Sequence, residues 1–215
     1  MKKIFTLILV CLLAPAAVFA DSSIFSVPVN VQVPMMLELN YWLRSCPGNS
    51  TPYGPGSMDV RDMSFGKLGW DNQYHIWKAD KYFTVFMVAM TSGRPFQLRQ
   101  TCTGFVSSQR GESLNKSLLM TPDYKQDDRW SPSDPDTTQG ELSALDRVGN
   151  KDIAFGTDRM IFDCASGLGP RILRCYYGLA TGDPAAHEPA TAKVLSGQAP
   201  AGDYTGTITF SLVLK

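Results

Sequence analysis

Apolar and polar positions alternate near the start of the chain. Phe25, Val27, Val29, Val31 and Val33 share one parity, and Ser26, Pro28, Asn30 and Gln32 share the other. That period of two predicts a strand with one buried face. Pro28 and Pro34 cannot donate to a ladder, which places the strand at an edge or paired on one side only. Leu37, Leu39 and Tyr41 continue the pattern. The alternation returns at the C-terminal end, where Tyr204, Gly206, Ile208, Phe210, Leu212 and Leu214 interleave with Thr205, Thr207, Thr209, Ser211 and Val213. No other segment gives so clean a strand signal.

Between these ends, Lys81–Thr91 is the most apolar stretch and is rich in β-branched and aromatic residues, the pattern of a central strand. Phe96–Phe105, Asp152–Phe155, Arg159–Cys164 and Ile172–Leu179 read as further strands, and Asp62–Leu68 as a short strand or bend. Gly and Pro cluster from Cys46 to Ser57, which reads as a loop, and Gly182–Pro200 is a Pro/Ala-rich loop. Residues 107–150 are polar and weakly patterned, a loop-rich insertion with one short helix at Glu141–Val148. Seven or eight short strands with almost no helix predict an all-β, immunoglobulin-like antiparallel β-sandwich with inserted loops.

Residues 1–20 change the picture of where this domain folds. Lys2 and Lys3 precede an apolar run from Ile4 to Leu13, and Val18-Phe19-Ala20 offers a cleavage site, so the segment reads as a signal peptide. The run is too short to span a bilayer, and no second one follows. The remaining residues, 21–215, suit one domain. Lys+Arg and Asp+Glu stand at 20 each. Loss of Lys2 and Lys3 with the leader leaves a slight acidic excess, which offers no basic field for nucleic acid. Four cysteines lie beyond the leader: Cys46, Cys102, Cys164 and Cys175. An even number in an exported chain predicts two disulfides, and three pairings are open. Cys46–Cys102 with Cys164–Cys175 is slightly preferred, because the second pair flanks the turn-like Ser166–Pro170. No C-x-x-C or H-x-x-x-H spacing points to zinc.

Three segments together carry a family resemblance. Pro200-Ala-Gly-Asp-Tyr-Thr-Gly-Thr-Ile-Thr-Phe-Ser-Leu212 is similar to the closing strand of spore coat U-type and related secreted pilin-like domains. Val29–Leu39 resembles their opening strand, and Met63-Ser-Phe-Gly-Lys-Leu68 their hydrophobic-x-Phe-Gly-x-hydrophobic signature. The resemblance implies a structural subunit of a bacterial surface fibre or coat that joins its neighbours by β-strand exchange. Its partners would be other pilin-like subunits, a periplasmic chaperone and an outer-membrane usher, and its place the periplasm, the cell surface or the exterior. Residues 21–33, with Phe25, Val27, Val29, Val31 and Val33 on one face, have the alternation that a donor strand requires. The same strand could equally complete its own domain's sheet. Long inserted loops, unusual in such domains, suit a tip or accessory subunit.

No catalytic constellation stands out. His75 and His187 are the two histidines, and no nucleophile elbow, Walker loop or dinucleotide fingerprint occurs. The chain reads as a non-enzyme without cofactor or metal, with a secreted hydrolase as a minor reading, since two carboxylates would suffice for a glycosidase. Asp123, Asp127, Asp128, Asp134 and Asp136 lack EF-hand spacing and read as a solvated acidic loop. Trp70, Tyr74 and Trp77 gather aromatics among amides, either as a ligand site able to stack on sugar rings or as cover for a sheet edge. They motivate the alternative function, a secreted or periplasmic glycan- or protein-binding β-sandwich module.

Overall fold

The computed structural model describes residues 36–107, 113–123, 151–153, 155–164, 171–186 and 188–215. The expected signal peptide, the strand expected at 25–33, the helix expected at Glu141–Val148 and the turn expected at Ser166–Pro170 therefore lie outside the described residues.

The protein is all-β. Its strands are β1 (Leu37–Pro47), β2 (Met58–Asp59), β3 (Gly69–Asp71), β4 (Ile76–Lys78), β5 (Lys81–Thr91), β6 (Phe96–Cys102), β7 (Val106–Ser107), β8 (Leu118–Asp123), β9 (Lys151–Asp152), β10 (Arg159–Cys164), β11 (Arg171–Leu179), β12 (Leu195–Ser196), β13 (Tyr204–Thr205) and β14 (Ile208–Leu214). Among the described residues, the 3₁₀ turn Pro184–Ala186 interrupts them. The large sheet has the order β2-β1-β5-β11-β8-β9, and a second sheet the order β10-β6-β14. Two small sheets, β12-β4-β3 and β13-β7, edge them. Every strand pair is antiparallel.

β5 is central, as its continuous apolar run predicts. It pairs with β1 from Leu37↔Thr91 to Pro47↔Lys81, and with β11 from Arg171↔Ala89 to Tyr177↔Phe83. Its odd positions, Phe83, Val85, Met87 and Ala89, enter the core shared with the second sheet. Tyr82 and Thr84 face the other way, where Tyr82 packs with Cys46 and Tyr176. β6 shows the alternation of a strand with one covered face: Phe96, Leu98, Gln100 and Cys102 are buried, and the residues between them are half-buried.

Several readings from the sequence change. The loop at Cys46–Ser57 begins two residues later than expected, because Cys46 and Pro47 still pair with β5. Residues 107–150 are not loop throughout: Leu118–Asp123 forms β8, paired with β11. Its Leu118, Leu119 and Met120 are all buried, so both faces are covered and no alternation marks the strand.

β13 and β14 are one strand in the sequence pattern but two in the structure, broken at Gly206. A Cβ on Gly206 would collide with the carbonyl oxygen of Gly104, so the chain crosses this point backbone on backbone. After the crossing, β14 runs beside β6 from Ile208↔Cys102 to Leu214↔Phe96.

Candidate functional site

The second sheet ends at β14, which pairs only with β6 among the described residues. Across from it lies β1, whose residues 37–42 pair only with β5 among the described residues. β2 meets β1 at Arg44 and Ser45, and the Val60 N–H bonds the Leu43 carbonyl. β1 and β14 touch without pairing. Between them opens a groove of about 980 Å³, walled by Leu39 and Leu43 from one side and Ile208, Phe210 and Leu212 from the other.

Burial shows that this wall is incomplete. Phe96 and Leu98 on β6 are fully buried, whereas the inward side chains of β14, Ile208, Phe210, Leu212 and Leu214, are all only half-buried. On β1, Leu37 is 47% and Tyr41 69% exposed, although both line the groove. Two apolar strand faces are thus held apart with their main-chain edges turned toward each other.

A polar clamp joins the sheets near this opening. The Tyr177 hydroxyl of β11 donates to Gln100 Oε1 of β6 at 3.0 Å, both residues being buried. Burial pushes the Tyr177 phenol well above its ordinary titration range, and the nearby Cys175 and Cys102 thiols add to the effect. Cys102 lies on the groove wall, and burial raises its thiol to about 11, so it stays protonated near neutrality.

The aromatic cluster forms a hairpin of β3 and β4. Trp70 and Trp77 are cross-strand partners with rings 5.1 Å apart, edge to face. The Asp71 carboxylate shapes the turn by accepting the Gln73 and Tyr74 N–H groups at 2.8 and 3.1 Å. The Tyr74 N–H bond leads in holding Asp71 below the usual carboxylate range, and burial opposes it; Gln73 and Lys78 pull the same way as Tyr74. His75 takes a positive φ of 55° at the end of this turn and stands beside Trp70, ring centroids 6.4 Å apart.

A second cleft of about 610 Å³ opens beside this hairpin. Of the three aromatics singled out in the sequence, Trp70 lines it, while Tyr74 and Trp77 line neither cavity. Asn49, Lys67 and Asp80, none of them singled out in the sequence as ligand-binding, come to its wall from separate loops.

The four cysteines are buried thiols, and no two stand at bridging distance. The preferred Cys46–Cys102 pairing meets a physical obstacle. Cys46 lies on the outer face of the large sheet beside Thr84, with Sγ 3.7 Å from its Oγ1, while Cys102, Cys164 and Cys175 belong to the inner core. A bridge between Cys46 and any of the three would have to pass through the sheet. Cys164, on β10 of the second sheet, and Cys175, on β11 of the large one, both belong to the inner core and lie beyond bridging distance here.

Phe25, Val27, Val29, Val31, Val33, His187 and the aspartates from Asp127 to Asp136 lie outside the described residues. Among the described residues, no cluster of three or more His, Cys, Asp or Glu side chains is placed to hold a metal, and no helix is long and apolar enough to cross a membrane. No protein-family model matches the chain, and no curated protein matches it.

Proposed function

We propose that the chain is a pilin-like structural subunit, an immunoglobulin-like sandwich short of one strand, which assembles by receiving a strand from a second copy. The groove between the unpaired edges of β1 and β14 carries this reading. An extended segment laid there meets main-chain groups on both sides, and its alternate side chains enter the apolar wall. Burial holds Cys102, on the groove wall, as a protonated thiol near neutrality.

Residues 25–33 of a neighbouring copy are the occupant we assign. Nine extended residues span about 30 Å, and the seven of β14 about 23 Å, so the segment covers the open edge. Its one-faced pattern of Phe25, Val27, Val29, Val31 and Val33 matches a groove that is apolar below and open above. Consecutive residues point their main-chain groups to opposite neighbours, so Pro28 removes a donor from one edge only. Burial at ~1.5–3 kcal/mol per side chain gives about 10 kcal/mol before association entropy is subtracted. On this reading the chain is exported, a periplasmic chaperone guards the groove before assembly, and an outer-membrane usher passes the subunit on.

Polymerisation tests the assignment. Val29→Asp combined with Val31→Asp is expected to give a folded monomer that forms no polymers. Unfolding of the monomer by that pair would show that the strand completes its own sheet. Normal-length fibres from a chain lacking residues 21–33 would overturn the donor role.

A further inference from the structure

The cleft beside Trp70 belongs to neither the strand-exchange groove nor its walls, and its chemistry differs from theirs. Four chain segments converge on it: the loop after β1, the approach to β3, the β4–β5 connection, and the chain following β11. Three lysines (Lys67, Lys78, Lys81) and three aspartates (Asp71, Asp80, Asp183) line it. Positive and negative groups balance, so the cleft offers no net field to an anion or a cation. What it offers is a mixture of donors and acceptors around one aromatic wall.

Several of these groups have no internal employment. Asp71 is committed to its turn and to Lys78, with Nζ 3.7 Å from Oδ2. Asn49, Lys67 and Asp80, by contrast, make no side-chain hydrogen bond or ion pair with another described residue, yet all three border the cleft. Trp70 is 39% exposed. One end of its indole lies against the backbone at Gly197, where a Cβ would come within 3.3 Å of the ring. The edge-to-face contact with Trp77 fixes its orientation from another side. A large ring braced in this way presents a fixed surface at little cost in side-chain entropy.

We propose that this cleft is a binding site for a neutral oligosaccharide. A pyranose ring has an apolar C–H face, whose hydrogens suit the negative face of an indole. Its hydroxyls both donate and accept, which suits a rim of amide, ammonium and carboxylate groups. A volume of about 610 Å³ lies within the usual range for small-ligand sites. Trp70 is the stacking wall, and Asn49, Lys67 and Asp80 are the hydroxyl partners. The site stands independently of strand exchange, since it lies on a different part of the surface, and a fibre subunit or a stand-alone module could carry it.

Calorimetric titration of the mature protein with cellotetraose, chitotetraose and mannotetraose tests the proposal. At least one probe is expected to bind saturably, with Kd in the millimolar range or tighter. Trp70→Ala is expected to weaken that binding by about tenfold or more. Trp70 also braces the hairpin, so Asn49→Ala, at an exposed loop position without internal hydrogen bonds, supplies a second reading and should weaken binding severalfold. Trp42→Ala, at an exposed β1 position outside the cleft, should leave affinity within about twofold. No saturable binding of any of the three probes would overturn the proposal. So would binding that Trp70→Ala and Asn49→Ala both leave unchanged. Because the titration uses unassembled protein, its result does not depend on whether fibres form.

Discussion

The clamp between Tyr177 and Gln100 offers the sharpest test of how the two sheets are held together. Tyr177 is fully buried and Gln100 is 3% exposed, so water cannot replace either partner of their 3.0 Å hydrogen bond. Tyr177→Phe removes one oxygen and leaves Gln100 Oε1 buried without its donor. Such a loss costs about 1–3 kcal/mol, more than the net worth of the bond, because desolvation is no longer offset. Gln100→Leu is expected to cost a similar amount by stranding the hydroxyl, reduced to the extent that Cys175 still bonds it. With both changes no polar group is stranded, and the double variant should be less destabilised than the sum by about 1–2 kcal/mol. Urea unfolding of the three variants, with m held constant as a check on the unfolded state, measures the coupling. An additive double variant, or a Tyr177→Phe cost under about 0.5 kcal/mol, would refute the clamp.

Gly206→Ala should destabilise the fold by about 2 kcal/mol or more, since its Cβ collides with the Gly104 carbonyl rather than with a movable side chain. Gly93→Ala, strained only by its φ of +74° and with nothing within 4 Å, should cost about 1 kcal/mol in the same thermal melt. Alkaline melts test the Cys102 environment. The folded thiol titrates near 11 against an ordinary 9.0, so its neutral form is favoured by folding. Its contribution is full below pH 9 and fades as pH rises toward 11. Cys102→Ala should flatten the early part of that decline, leaving the loss that sets in above about pH 10 as Tyr177 ionises in the unfolded chain. An unchanged profile would mean that Cys102 does not carry a titrating thiol.

Much of the fold is legible because burial on one face writes a period of two. β6 and β14 alternate plainly, and β5 is recognisable by its unbroken apolar run. β8 escapes because Leu118, Leu119 and Met120 form too short a run, among polar neighbours, to separate a doubly covered strand from a loop. β3 and β4 escape for the opposite reason: at three residues each they have almost no period to read, and a turn built by an aspartate carboxylate joins them. The cysteines illustrate a third limit. Counting them suggests pairs, but face is set by parity and register. Cys46 sits opposite Tyr82 on the outward parity, while Cys175, opposite Val85, is inward.

The candidate sites divide along the same physical line. The alternation of Ile208, Phe210, Leu212 and Leu214 states that one face of β14 seeks cover, but it cannot state whether the chain supplies that cover. The comparison of β14 with β6 shows how far that cover extends: equivalent apolar side chains reach full burial on one strand and half burial on its neighbour. A strand that is apolar in pattern yet half-buried in place, with its main-chain edge unpaired among the described residues, is the observation on which the proposed strand exchange rests. The Trp70 cleft carries no periodic signature, because its wall is assembled from four segments separated in the sequence. Trp70 was visible as an aromatic among amides. Its partners Asn49, Lys67 and Asp80 became visible only through what they lack, an internal bond for each polar group. Unmet burial on β14 and unspent hydrogen bonding around Trp70 are the same kind of evidence, read once in apolar and once in polar chemistry.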